Sequence, residues 1–430
     1  MFERRQMSTL EHTRRLICPK QFHYVQRTNV TCIIDIINES KSSCTKLHKL
    51  DLQRAKIQDV SMLSTLIHLV DLNLNCSDVL DISELSTLTH LSKLNLSHTE
   101  IKDISSLSIL TQLSDLNIDN INVPESRLLM LSTLTQLHAL DISSTDIKDI
   151  STLSKLVQLR TLNISNVKIS NISILSSMNQ LHRLVLSYTD VKDISPLSAL
   201  TQLHTLDLRS NNIEDISPLF ALTQLHTLNI SNVKISNISM LSSMNQLHIL
   251  NINRIPINDI SPLSTLTHLS ELDLSGTKIN DISTLSTLIH LSKLDLSHTP
   301  INDISTLSTL TQLSELDLMK TNITNLSPLL TLTQLRKLNL HFVKVTDVSM
   351  LSTLTQLRDL DISSTQINDI SALSTLTQLY TLACAFTKIN DVSALSTLTQ
   401  LRTLYSGNTQ INDVSALYTL TQLRTLDISY

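Results

Sequence analysis

Two glycines, Gly276 and Gly407, are all that this 430-residue chain contains, and it has no tryptophan. Glycine-rich phosphate loops and the nucleophile elbow of hydrolases need several closely spaced glycines, so neither can be built here. The spacings C-x-x-C and H-E-x-x-H are missing as well. Five cysteines, Cys18, Cys32, Cys44, Cys76 and Cys384, are odd in number and unevenly placed, which does not describe a disulfide framework. No apolar run approaches the ~20 residues of a membrane span. The N-terminus, MFERRQMSTLEHTRRLICPK, has arginines but lacks the apolar stretch of a secretory signal. A net charge of −5 over the whole length argues against a general nucleic-acid or membrane-surface binder. These exclusions leave a chain expected to have no catalysis, no cofactor and no metal. Residence in the cytoplasm, that of a host cell included, is the expectation.

What is present is one unit repeated. The stretch Leu291–Gln312, LSKLDLSHTPINDISTLSTLTQ, recurs every 22 residues from Leu47 onward, giving seventeen full copies and a partial one from Leu423. Only the copy at Leu113 differs in length, with 24 residues and Val123-Pro124-Glu125-Ser126-Arg127 where the others read D-I-S. A fixed period of this size means a solenoid, whose turns bury their apolar side chains against one another. Leu291, Leu294, Leu296, Ile301, Ile304, Leu307 and Leu310 are the expected inward positions. Leu294-x-Leu296 alternates with period two and reads as a short strand, whereas Leu307-x-x-Leu310 has the spacing of a helical or 3-10 turn. The expected fold is therefore an α/β-type solenoid, each turn a strand, a corner, a short helix and a corner. Its parallel sheet should lie on the concave face, and at roughly 4.8 Å per strand the array would run on the order of 85 Å. Ser305 is the expected N-cap of the helical turn, and proline follows that serine at Pro196, Pro218, Pro262 and Pro328. Burying each leucine contributes roughly 1.5–3 kcal/mol against the cost of ordering the chain.

The pattern LxxLxLxxTxIxDISxLSxLTQ resembles the 22-residue leucine-rich repeats of the bacterial internalins and of the leucine-rich regulatory subunit of protein phosphatase 1. The resemblance spans residues 47–430. It implies a leucine-rich repeat solenoid that docks a folded protein in its concavity. One departure stands out: the family's asparagine at the ninth repeat position survives only as Asn211. Threonine takes the place in nine copies, such as Thr99, Thr145, Thr277 and Thr299, and apolar residues such as Val167, Val233 and Val343 take it in others.

Residues 1–46 lack the repeat and are expected to cap the array or to act as a docking segment, with a helix near 8–17 and a strand near Cys32–Ile37. Thr161–His182 and Thr227–His248 match at 21 of 22 positions, so a column of like residues can record duplication rather than selection. Three columns still carry chemistry. Asp or Asn holds the fifth repeat position in fifteen of eighteen turns, Asp295 and Asp317 among them, and is expected to form a solvated structural ladder; cation binding beside Glu271 and Glu315 is the sharper reading. Thirteen further aspartates at the thirteenth position, including Asp281, Asp303 and Asp369, are expected to cap the helical corner. His138, Arg160, His182, His204, His226 and His248 share another column, a solvated one or else a metal-chelating or pH-sensitive stripe.

The preferred partner-binding site lies near the C-terminus. There Arg336, Arg358, Arg402 and Arg424 share a column with Tyr380, and Phe342, Phe386 and Tyr405 are expected to project from the same face. Arginine and tyrosine are enriched among interface hot spots, and only 3% of this chain is aromatic. The expected function is thus a scaffold or adaptor binding a protein partner. The alternative is an assembly protein that self-associates through its last strand, Leu423–Tyr430, where Ser406 weakens the preceding turn. Binding of ice through rows such as Thr309-Leu310-Thr311 carries little weight, because such binding needs a flat array. Sequons such as Asn163-Ile164-Ser165 and Asn229-Ile230-Ser231 fall on expected strands, where glycans would block the sheet; this favours an intracellular setting.

Overall fold

The computed structural model describes the backbone of Tyr24–Gln26 and residues 47–429, which fall in two compact units, residues 1–181 and 182–430. One turn explains both. In Leu291–Gln312 the strand is Lys293–Asp295, in parallel register with Glu271–Asp273 on one side and Glu315–Asp317 on the other. Leu294 points inward and is 2% exposed, while Lys293 and Asp295 face outward, as alternation on a pleated strand requires. The ladder continues past the strand: the Leu296 N–H donates to the Asp317 carbonyl at 2.9 Å and the His298 N–H to the Met319 carbonyl at 2.8 Å.

At His298 the backbone swings to φ 57°, the left-handed region, and leaves the sheet. The Thr299 hydroxyl closes this corner by donating to the Leu296 carbonyl at 2.6 Å. The chain then enters a 3-10 helix, Ser305–Thr309. Its apolar anchors Ile304, Leu307 and Leu310 are three residues apart, so at three residues per turn they eclipse on one inward line. All seven expected inward residues of this turn are 2% exposed or less.

The cap departs from expectation. Ser305 does not cap with its side chain; its N–H instead donates to the Asp303 carboxylate at 2.8 Å. The same bond joins Asp281 to Ser283 and Asp369 to Ser371, and Asn171 supplies it to Ser173. An ionised carboxylate two residues upstream is the stronger acceptor, and at Ser151 and Ser217 the serine hydroxyl also donates to it, at 2.8 Å in both. Prolines 196, 218, 262 and 328 sit in the first turn, where no N–H is missed.

In the first unit the strands Lys49–Asp51, Asp71–Asn73, Lys93–Asn95, Asp115–Asn117, Ala139–Asp141 and Thr161–Asn163 pair consecutively and in parallel. Tyr24–Gln26 adds one more parallel strand beside Lys49–Asp51, which the repeat pattern does not foretell. The helix and strand expected at 8–17 and 32–37 lie outside the described residues. The longer copy turns its extra residues into a helical turn, Glu125–Leu128, whose Glu125 carboxylate accepts the Lys148 and Asp149 N–H groups at 3.3 and 3.0 Å.

The second unit repeats the same turn from Arg183–Val185 to Thr425–Asp427. Near its end Ser406 occupies an inward strand position, and its hydroxyl reaches the Asp427 carbonyl at 3.2 Å. On the 3-10 side, the Thr331 and Thr375 hydroxyls donate to the Ser308 and Ser352 carbonyls of the preceding turn, both at 2.9 Å. The hydroxyls of these threonines are thus used to join turns.

Candidate docking surfaces

In the second unit the outward strand residues build an acidic groove of about 710 Å³ between Ile249 and Tyr405. Glu271, Asp273, Asp295, Glu315, Asp317, Asp359 and Asp361 line it against only two cations, Lys293 and Lys337. Those lysines pair with Glu271 at 3.3 Å and Glu315 at 3.7 Å. The fifth-position column is not the solvated ladder expected. Its members are half-buried, each accepts the N–H two residues on, and asparagines tie neighbouring turns together, as Asn339 does to Asp317 at 2.9 Å. Asn253 likewise donates to Asp273 at 2.8 Å. Asp295 between them accepts from its own Ser297, the N–H at 2.8 Å, and has a carboxylate on either side. Burial above all, with repulsion from Asp273 and Asp317, pushes its carboxyl up to about 6 against the opposing pull of Ser297.

The residues expected to form one aromatic and basic patch occupy three places. Tyr380 lies just before its strand, with the Arg402 guanidinium 5.0 Å and the Arg358 guanidinium 5.8 Å from its ring centre. Arg336 continues this column, since the Arg358 N–H donates to the Arg336 carbonyl. Tyr405 is in the strand Thr403–Tyr405, in register with Ala383 and Asp427, and borders the acidic groove. Phe342 and Phe386 lie beyond the strand ends, at the left-handed position, with φ 60° and 57°. They line a separate groove of about 600 Å³ together with Ser364, Gln366, Thr387 and Lys388. The division follows from the repeat itself, whose second, fifth and eighth positions stand before, on and after the strand.

Histidines 182, 204, 226 and 248 form a stack with ring centres 5.2, 5.2 and 5.3 Å apart. The Nδ1 atoms of His204, His226 and His248 lie 2.7, 2.7 and 2.8 Å from the Gln202, Gln224 and Gln246 carbonyls. A carbonyl only accepts, so Nδ1 carries the proton there. The rings lie near-parallel, with their nitrogens not converging on one point. No group of three or more His, Cys, Asp or Glu side chains suited to a metal occurs among the described residues. Cys384 is a buried free thiol, pushed up to about 12 by burial first and by Asp361 second, whereas Cys76 is free and exposed.

The family described as leucine rich repeats (2 copies) matches residues 179–221 and 333–375. An internalin (inlF) from Listeria monocytogenes is 31% identical, over 71% of this chain and 92% of its own, with a TM-score of 0.66. The chain belongs to the leucine-rich repeat family. A leucine-rich repeat protein of Leptospira interrogans shares the fold at 18% identity and a TM-score of 0.65, over 95% of this chain and 100% of its own. The plant peptide hormone receptor RGFR1, in complex with RGF2, also shares the fold, at 17% identity and a TM-score of 0.56 over 90% of this chain and 82% of its own. No curated protein sequence matches the chain.

In this leucine-rich repeat protein the ninth position shows what its one asparagine achieves. Asn211 donates to the Leu186 and Leu208 carbonyls at 2.8 and 2.9 Å and accepts from the Thr189 N–H and hydroxyl at 3.2 and 2.6 Å, so it bridges two turns. Threonines there close their own turn, as Thr277 does with the Leu274 carbonyl at 2.6 Å, and Thr189 reaches the next turn through Asn211. Valine offers nothing, yet the Val343 N–H still reaches the Leu340 carbonyl at 3.0 Å. The backbone closes the corner in this way at Ala55, Ser77, Thr277 and Val343, and threonine hydroxyls do so at others, such as Thr99 and Thr299.

Proposed function

We propose that this protein is a binding scaffold without catalytic activity, and that a protein partner docks on the sheet face of residues 182–430, around Arg336, Arg358, Tyr380, Arg402 and Tyr405. One observation carries the reading. Tyr380 is held between two exposed arginine guanidiniums at the rim of a groove with seven carboxylates, in a chain where aromatics are scarce. Rigid aromatics beside arginine are the residues on which interface energy concentrates. The plant peptide hormone receptor RGFR1 supports it at the level of the fold, as a similarly folded chain in complex with RGF2. The proposed setting is the cytoplasm, where free thiols such as Cys76 and Cys384 persist. Fractionation of the producing cell tests that setting, and recovery from the medium overturns it.

Affinity capture from cell extract, followed by mass spectrometry, tests the docking surface. Tyr380→Ala with Arg402→Ala should lower recovery of the main partner about thirtyfold, the effect of losing a hot spot of about 2 kcal/mol, with circular dichroism unchanged. Recovery equal to wild type defeats the assignment. The competing reading is self-association through apolar side chains such as Leu426 and Ile428, which are 44% and 42% exposed. Sedimentation velocity separates the two: a mass independent of concentration supports docking of a foreign partner, and a mass that grows with concentration supports assembly.

A further inference from the structure

The eighth position of each turn must adopt a positive φ, which suits glycine and asparagine and disfavours aromatic side chains. Asparagine holds it at Asn120, Asn166, Asn232 and Asn408, and serine at Ser144, Ser210 and Ser364. At Tyr188, Phe342 and Phe386 the chain instead places aromatic rings in that conformation and leaves them 58%, 49% and 62% exposed. Neither backbone preference nor burial explains them, and Phe342 and Phe386 are the two that line one groove together. Strained and exposed together, they are best accounted for by an occupant of the space between them.

The space has a definite form. The rings lie two turns apart, and the intervening turn contributes Ser364, Thr365 and Gln366 but no ring, so Phe342 and Phe386 are the walls of a slot floored by the buried Thr365 and Thr387. At about 4.8 Å per strand the walls stand roughly 10 Å apart, which admits one planar or branched side chain in contact with both. The surrounding charge has one sign. Lys388 lines the slot, Lys320 sits 5.4 Å from the centre of the Phe342 ring, Lys344 is exposed two residues on, and no carboxylate lines it. Asp361 at a fifth position faces His341 at 3.8 Å.

We infer that the slot between Phe342 and Phe386 anchors one bulky apolar side chain of an extended acidic segment of a protein partner, whose flanking carboxylates meet Lys320, Lys344 and Lys388. This rests on the protein-binding reading above but uses a surface separate from the Tyr380 column. It also makes a stability statement: the aromatic rings are kept at the expense of backbone comfort, so replacing them with the residue the turn prefers should help folding and abolish binding.

The test uses the absence of tryptophan from the chain, which makes a peptide tryptophan the only one in the sample. Two pools of octapeptides, each with one central tryptophan, carry Asp and Glu flanks in one and Lys and Arg flanks in the other. The acidic pool should bind the full-length protein with a blue shift of its emission, weakening as salt is raised. Phe342→Asn with Phe386→Asn should weaken binding about thirtyfold or more while raising the melting temperature by about 2 °C. Lys388→Glu should reduce binding of the acidic pool without disturbing the fold. Equal binding of both pools, no binding of the acidic pool, or binding that ignores the double variant overturns the inference. Partner capture that depends on Tyr380 and Arg402 while the acidic pool fails leaves the docking reading standing and removes only this slot. Acidic-pool binding that survives Tyr380→Ala, with capture unaffected by it, does the reverse.

Discussion

Replacing Asp295 with asparagine should stabilise the protein at neutral pH and do nothing at acid pH. The carboxyl is raised from 3.8 to about 6 because burial and two neighbouring aspartates disfavour its charge. A raised folded-state value means that the folded chain holds the proton more tightly than the unfolded chain. The favourable contribution is therefore complete below about pH 4, declines as pH climbs through about 6, and is absent above it. A rise of about two pH units, at about 1.36 kcal/mol for each, would give roughly 3 kcal/mol. The carboxyl is only partly withdrawn from water, so screening reduces this to about 1 kcal/mol. The amide introduced by Asp295→Asn would keep the oxygen that accepts the Ser297 N–H, as Asn251 and Asn339 do for Asn253 and His341. Thermal melts of both proteins from pH 4 to pH 8 at constant ionic strength should show the variant higher by about 2–4 °C at pH 8 and equal at pH 4. A gain of the same size at both ends, or a loss at pH 8, would refute the reasoning.

Other consequences are as direct. Leu294→Asp puts an unpaired charge where the side chain is 2% exposed and should cost about 4 kcal/mol; Lys293→Asp on the outward side should cost about 1 kcal/mol or less, and equal melting of the two would invert the inward and outward assignment. Asn211→Val removes a two-turn bridge and should cost about 3 kcal/mol by urea unfolding, whereas Asn211→Thr, which restores the one bond Thr277 makes, should cost less. Cys76 should react with a thiol reagent at pH 8 within minutes while Cys384 stays unmodified until the chain is unfolded, because burial holds its thiol near 12; peptide mapping reads both, and early labelling at Cys384 would show an open core.

Much of this was readable in the repeat, since period and apolar spacing determine which side chains face in, and every inward residue of Leu291–Gln312 does so. The aspartate caps were legible for the same reason, being a fixed residue type at a fixed offset from the helical turn. Ser305 misled because a serine at a helix start is a common cap; only geometry reveals that Asp303 reaches its N–H first. The left-handed eighth position gave little signal, because glycine marks it at Gly276 and asparagine at Asn120, Asn166, Asn232 and Asn408, while Arg, Lys, His, Ser, Cys, Tyr and Phe hold it elsewhere. The same weakness hid the division of the aromatic residues, since Tyr380, Tyr405 and Phe386 hold the second, fifth and eighth places of their turns and so stand in three columns. The state of Asp295 depends on neighbours one turn to each side. A run of three aspartates with asparagines only outside it was visible in the sequence, but burial was not.

Where a partner lies against residues 182–430 is measured most directly by oxidative footprinting of the captured complex, read on the protein's own aromatic side chains. Tyr380 and Tyr405 mark the proposed docking surface, while Phe220 and Tyr418, 63% and 83% exposed on the 3-10 side, serve as internal controls. Adding the partner should slow oxidation of Tyr380 and Tyr405 at least severalfold and leave Phe220 and Tyr418 as they were. Protection of Phe220 and Tyr418 with Tyr380 and Tyr405 unchanged would contradict it.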